Sequence, residues 1–240
     1  MRLQRQEFKY YMSADIAQLI SRNLEKFLVS DRNYQEGRKH YVVTSLYFDD
    51  SNSSALTEKI DGILAREKYR IRMYDSEVTS LKAEIKRKIG TVVDKRSWRI
   101  SKNLVESILD GTNDLWAEDS KSILDFIAKI KGFGQLPRVI VEYDRQAYEH
   151  PLGDLRITID SNLRTCNSFT NILNLNGVPR VPVFVQDAQI LEVKFSGEFP
   201  KFVADLLNSY PLTRSAISKY VLAQRYLDSS GCRDYLGDQY

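Results

Sequence analysis

Histidine is almost missing from this chain. His40 and His150 are the only two in 240 residues, far apart and without a partner pattern, which argues against histidine-based nucleophilic catalysis and a multi-histidine zinc site. Cysteine is equally scarce. Cys166 and Cys232 lack metal-ligand spacing and cannot build a disulfide framework, so a reducing, cytoplasmic setting is expected. The glycines form no GxxxxGK[ST] or GxGxxG loop, and neither HExxH nor GxSxG occurs. Phosphates handled here must be held by Arg and Lys side chains, and any metal must be hard and oxygen-ligated. No apolar run approaches the roughly 20 residues that span a bilayer, and MRLQRQEFKYYMS has no apolar signal core. Direct membrane insertion is therefore not expected, and work at a membrane would require a membrane-protein partner.

An excess of one charge is also missing. With 35 basic and 32 acidic residues the net charge is +3, so a strong positive field must come from arrangement, and a nucleic-acid partner is not expected. The length is enough for one large domain, residues 1–240.

What the chain does have is charge alternation. In Lys68 to Ile89 (KYRIRMYDSEVTSLKAEIKRKI), Arg70, Arg72 and Tyr74 share one face opposite Ile71 and Met73. Lys82, Glu84, Lys86 and Lys88 likewise oppose Ala83 and Ile85. A period of two means strands, here an antiparallel hairpin turning within DSEVTS. Alone, such a hairpin reads as a solvated surface. The device recurs, however, at Glu7 and Lys9, Glu142 and Asp144, Arg156 and Asp160, and Glu192 and Lys194. If the strands close into a barrel, the apolar faces can pack outward on helices while the charges line a polar interior suited to a polyanion.

In chain order, the pattern predicts a strand at Glu7–Tyr11, a helix capped by Ser13 through about Val29, and a polar loop over 31–39. A strand follows at Tyr41–Asp49, a short helix at Ser53–Asp61 ended by Gly62, the hairpin, and an extended piece at Thr91–Trp98. Helices from Ser101 to Leu109 and from about Ser120 to Lys131 form a helical insertion. Strands are expected at Arg138–Tyr148, Leu155–Asp160 and Gln189–Phe195, with an unreadable loop-rich region at Asn167–Pro182. Helices close the chain from Pro200 to Ser209 and from about Arg214 to Leu227.

The ordered set Glu7-x-Lys9, SLYFDD (45–50), YRIRMY (69–74), EIKRK (84–88), VEYDRQAY (141–148), LRITID (155–160), LEVKF (191–195) and ISKY (217–220) resembles the VTC domain. That domain is the polyphosphate polymerase of the vacuolar transporter chaperone complex, a triphosphate tunnel metalloenzyme related to the CYTH domains. The resemblance implies an α+β fold, an eight-stranded antiparallel β-barrel tunnel with a charged lumen and helices outside. It further implies metal-dependent transfer of the gamma phosphate of ATP to polyphosphate with release of ADP. Carried onto matching positions, it assigns Arg70, Arg72, Lys86 and Lys219 to catalysis and Lys9, Lys95, Arg145, Arg156, Lys194 and Ser218 to substrate binding. Glu192 becomes the ligand of Mn2+ or Mg2+, with Glu7, Glu84, Glu142 or Asp160 as helpers or as salt-bridge partners that orient the cations. Parity along VEYDR sets Arg145 against Glu142 and Asp144, so they cannot share a lumen unless the strand bulges or ends there.

These residue types suit phosphoryl transfer, which needs in-line positioning and neutralised oxygens rather than covalent help. Arginine forks bind phosphate through two bonds, while lysines supply point charges. The same scaffold also supports a tripolyphosphatase or nucleoside triphosphatase, in which water attacks. A noncatalytic polyphosphate or nucleotide sensor is a further reading, with an RNA-binding module last.

Overall fold

The computed structural model describes residues 5–31, 38–90, 92–111, 120–166, 172–184 and 187–228. It is an α+β fold whose mostly antiparallel sheet has 11 strands. The first elements are β1 (Arg5–Met12), α1 (Ala14–Leu24), β2 (Val29–Ser30), β3 (Tyr41–Asp49) and α2 (Ser54–Ile60). Next come β4 (Ala65–Tyr74), β5 (Glu77–Ile89), β6 (Val92–Arg99), α3 (Lys102–Leu109) and α4 (Ser120–Gly132). The chain continues with β7 (Leu136–Glu149), β8 (Arg156–Cys166), β9 (Val181–Pro182), β10 (Gln189–Ser196), α5 (Lys201–Asn208), β11 (Thr213–Arg214) and α6 (Lys219–Asp228).

Strand order is β11-β1-β10-β8-β7-β3-β4-β5-β6, with β2 added to β7 and β9 to β8. The expected closed eight-stranded barrel is therefore corrected to an open sheet among the described residues. The path ends because β11 is only two residues long and pairs with β1, while β6, mostly exposed, pairs with β5.

Two compact units emerge, each discontinuous in sequence: residues 1–42, 143–163 and 184–218, and residues 43–142, 164–183 and 219–240. In the first unit, alternation on β1, β8 and β10 sends Tyr10, Ile157, Ile159, Leu191, Val193 and Phe195 to one face. The apolar stripe of α1 (Ala17, Ile20, Leu24) and that of α5 (Val203, Leu207) complete this core. Burying a side chain such as Ile20 or Leu24 contributes about 1.5–3 kcal/mol. In the second unit Leu46, Phe48, Ile71, Met73, Ala83 and Ile85 pack with Leu104 and Val105 of α3 and Ile123, Phe126 and Ile127 of α4. Helices thus cover the apolar face of each unit's strands, and the charged residues occupy the other face.

Boundaries differ from the sequence pattern where pairing overrides it. Ser13 caps α1, its Oγ accepting from the Ile16 N–H, but the helix stops at Leu24 because Val29 and Ser30 pair with Glu149 and Tyr148. The last helix begins at Lys219 rather than Arg214, since Thr213 and Arg214 form β11 against Tyr11 and Tyr10. β8 continues past Asp160 to Cys166, passing through Asn162 at φ 51°. Most of the predicted 31–39 loop, and 167–171 of the loop-rich region, lie outside the described residues. No helix among the described residues is long and apolar enough to cross a membrane.

Candidate functional site

Two groups of charged side chains stand out, one on each unit. In the second unit, cross-strand register lines up Tyr47, Arg70, Glu84 and Ser97, then Ser45, Arg72, Lys82 and Arg99, then Lys68, Lys86 and Lys95. All therefore share the strand face opposite the helices. Glu84, 1% exposed, is the hub. Its Oε2 lies 2.6 Å from both Nε and Nη2 of Arg70 and 3.9 Å from Nη1 of Arg72, and its Oε1 lies 2.5 Å from Nζ of Lys95. Arg70 Nη1 also donates to the Tyr47 hydroxyl at 3.0 Å, and Arg72 Nε donates to Ser45 Oγ at 3.0 Å.

The electrostatics follow from this crowding. Burial works against the Glu84 carboxylate, yet Arg70, Arg72 and Lys95 outweigh it and hold the carboxyl far below its ordinary range. Burial would likewise raise the Tyr47 phenol, but Arg70, Arg72 and Lys68 bring it down to about 7. Lys68 falls to about 8 through burial, with the Tyr47 charge opposing the shift. One carboxylate facing three cations, with Lys68 and Lys86 adjacent, leaves a surplus of positive charge matched to anionic oxygens.

The carboxyl end of β3 joins the ISKY segment. Tyr220 of α6 donates to Asp49, whose carboxylate also accepts from the N–H groups of Ala55 and Leu56 at the start of α2. The Tyr220 ring lies 5.2 Å from that of Tyr47, with Lys68 Nζ 4.9 Å from the Tyr220 ring. Lys219, the adjacent residue, is buried.

In the first unit, register places Glu7 opposite Lys194 and Lys9 opposite Glu192. Glu192 Oε1 lies 3.1 Å from Lys9 Nζ and its Oε2 3.3 Å from Lys194 Nζ, while Glu7 Oε1 lies 3.8 Å and 3.3 Å from the same two amines. Arg145 engages Asp160 through a fork, Nε to Oδ1 at 2.6 Å and Nη2 to Oδ2 at 2.7 Å, and its Nη2 lies 3.9 Å from Glu192. These contacts drive the Arg145 pKa well above its usual value despite burial. Burial lowers Lys194, against the opposing pull of Glu192 and Glu7. Arg156 is drawn elsewhere, to Glu149, Asp31 and the Tyr41 hydroxyl, and Ser218 is half-buried just before α6.

The acidic candidates separate accordingly. Glu84 balances Arg70, Arg72 and Lys95, Asp160 holds Arg145, and Asp144 accepts from Asn162. Glu142 accepts from Thr44 and pairs with Arg164 and Arg180, so Arg145 and Glu142 have different partners, as their opposite parity requires. Among the described residues no three acidic, histidine or cysteine side chains gather to hold a metal ion. Glu192 and Glu7, sharing two lysines, suit a hard divalent cation that takes its remaining oxygens from water and phosphate rather than a protein cage. Sequence reasoning left out Lys68 and Ser45. Lys68 shared the parity of Arg70 and Arg72 and was legible in KYRIR, whereas Ser45 becomes visible only once β3 is registered on β4.

A family model described as the VTC domain matches residues 4–227, and the chain belongs to that family. No curated protein matches it. Among solved structures it is similar to the PH1819 protein of Pyrococcus horikoshii, at 11% identity and a TM-score of 0.47, covering 91% of this chain and 97% of that one. It is also similar to a presumed adenylate cyclase of Bacillus halodurans, at 13% identity and a TM-score of 0.47, covering 86% and 89%. A presumed adenylate cyclase of Vibrio parahaemolyticus shows 11% identity and a TM-score of 0.48, covering 92% and 98%.

Proposed function

We propose that this protein is a polyphosphate polymerase that moves the gamma phosphate of ATP onto a growing polyphosphate chain. The carrying observation is the Glu84 hub: three cations converge on a single carboxylate, leaving positive charge for phosphate oxygens. Membership of the VTC family supports the same reading.

In the proposed step a terminal polyphosphate oxygen forms a bond to the gamma phosphorus as the bond to the bridging oxygen breaks, and ADP leaves with that oxygen. Arg70 and Arg72 present guanidinium N–H groups to the nonbridging oxygens, and Lys86 and Lys219 offset charge as it shifts to the leaving group. Lys95 adds a point charge to this face, and on the first unit Lys9, Arg145, Lys194 and Ser218 offer charge and hydrogen bonds to phosphate, with Arg156 engaged instead by Glu149 and Asp31. Glu192, helped by Glu7, would hold Mn2+ or Mg2+, which supplies Lewis-acid neutralisation of phosphate oxygens.

The test separates turnover from binding. Glu192→Gln should abolish metal-dependent ATP turnover while retaining most tripolyphosphate affinity measured by calorimetry, and Lys219→Ala should lower turnover. Equal loss of binding and turnover in Glu192→Gln would remove the metal role, and wild-type turnover in both variants would remove Glu192 and Lys219 from the site.

A further inference from the structure

One charged cluster of the second unit lies on the strand face that its helices cover. Thr44 shares its side of β3 with Leu46 and Phe48, Glu142 its side of β7 with Ile140, and Arg164 its side of β8 with Cys166, all of them core residues. The cluster is therefore across the sheet from the Glu84 hub. Thr44 and Ser45 are consecutive on β3, Thr44 donating to Glu142 on one side and Ser45 accepting from Arg72 on the other. A carboxylate buried at the margin of an apolar core costs stability unless it is paired.

Glu142 is paired twice over. Its Oε1 lies 3.1 Å from Arg164 Nε, and its Oε2 lies 3.5 Å from Arg180 Nη1 and accepts from the Thr44 hydroxyl at 3.2 Å. One arginine would neutralise the carboxylate. The second is delivered separately: β9 pairs Pro182 with Arg164 and Val181 with Thr165, which carries Arg180, the residue before β9, to the same carboxylate. Arg180 is the only charged residue in 172–183, so no acid on that segment offsets it. The Arg164 and Arg180 side chains are 29% and 33% exposed, whereas that of Glu142 beneath them is 5% exposed.

Two planar donor groups thus share one buried anchor and bring one positive charge in excess to the surface. The anchor engages a single atom of each, Nε of Arg164 and Nη1 of Arg180. A tetrahedral oxyanion accepts from two guanidinium forks at once, a geometry that a halide does not offer. We propose that Arg164 and Arg180 form a second anion site, across the sheet from the hub, that takes a phosphate group, either inorganic phosphate or the end of a polyphosphate chain. This site does not depend on the activity proposed above.

Arginine Nε–H signals in nitrogen-15 NMR spectra of the full chain test it, with inorganic phosphate titrated at constant ionic strength. The Arg164 and Arg180 signals should shift to saturation, and should do so equally in Arg70→Ala, where the hub is weakened. Arg180→Gln should lower that affinity at least roughly tenfold, and Arg180→Lys, which keeps the charge without the fork, should fall between. Circular dichroism and tripolyphosphate affinity read at the Arg70 signal should stay unchanged in both variants. Repeating the Arg70→Ala titration with tripolyphosphate identifies the source, since the tighter of the two ligands is the one the site takes. Shifts confined to Arg70 and Arg72 would overturn the proposal by placing all phosphate at the hub. Equal shifts with chloride, or wild-type phosphate affinity in Arg180→Gln, would overturn it as well.

Discussion

Glu84 and Arg70 meet across β4 and β5 with one carboxylate oxygen 2.6 Å from two guanidinium nitrogens. This pair sets the geometry of the cationic face, because the same carboxylate also contacts Arg72 and Lys95. Removing the negative charge while keeping the shape should leave the cations repelling one another. Glu84→Gln is expected to lose about 3 kcal/mol of stability, as when one partner of a buried ion pair is removed. Tripolyphosphate should restore much of that loss. Denaturant midpoints with and without tripolyphosphate check this, and an unchanged midpoint in its absence would contradict the hub role.

Tyr47 gives a pH signature. Its phenol falls from 10.0 to about 7 in the fold, so its contribution to stability is present above the unfolded value and is lost as pH falls through about 7. Anion binding has the opposite sense, since the phenolate sits beside Arg70 and repels an anion. Affinity for sulfate, whose own charge is constant here, should fall as pH rises through about 7, and further near 8 as Lys68 loses its proton. Tyr47→Phe should remove the first inflection and move the second to lower pH, because the Tyr47 charge no longer holds the Lys68 pKa up. The phenolate absorption band follows the ionisation directly.

The Arg145–Asp160 fork should be intolerant of lysine. Arg145→Lys keeps the charge but cannot make two parallel bonds, and a loss of about 1–3 kcal/mol is expected. A double-mutant cycle with Asp160→Asn should give a coupling energy of similar size, whereas additive losses would show that the fork contributes nothing of its own.

Tyr220→Phe removes one donor from Asp49, which keeps the Ala55 and Leu56 N–H groups. The expected cost is about 1 kcal/mol, read as a lower thermal midpoint. Because Tyr220 follows Lys219, ATP turnover should fall more than stability does.

Much of this was legible in the sequence, for a physical reason. Period-two alternation is imposed by strand geometry itself, so β3 was found at Tyr41–Asp49 and the charged face of Lys68 to Lys88 could be read residue by residue. Long-range pairing was not legible. Arg214 looks like the start of a helix until β1 offers it a partner, and the strand expected to end at Asp160 continues as β8 through Asn162 in a left-handed conformation. Closure failed as an expectation for the same reason, since alternation gives the faces of strands but not which edges pair. Likewise, the role of Glu84 as shared ion-pair partner depended on three cations from β4 and β6 reaching one carboxylate.

The most direct measurement of the central claim is to incubate the protein with ATP and Mn2+ and resolve the products by gel and phosphorus NMR. The account predicts long polyphosphate chains appearing with ADP, and neither product when Arg70→Ala replaces the wild type. Free phosphate without chains would contradict it in favour of a hydrolase, and tight tripolyphosphate binding without turnover would contradict it in favour of a sensor.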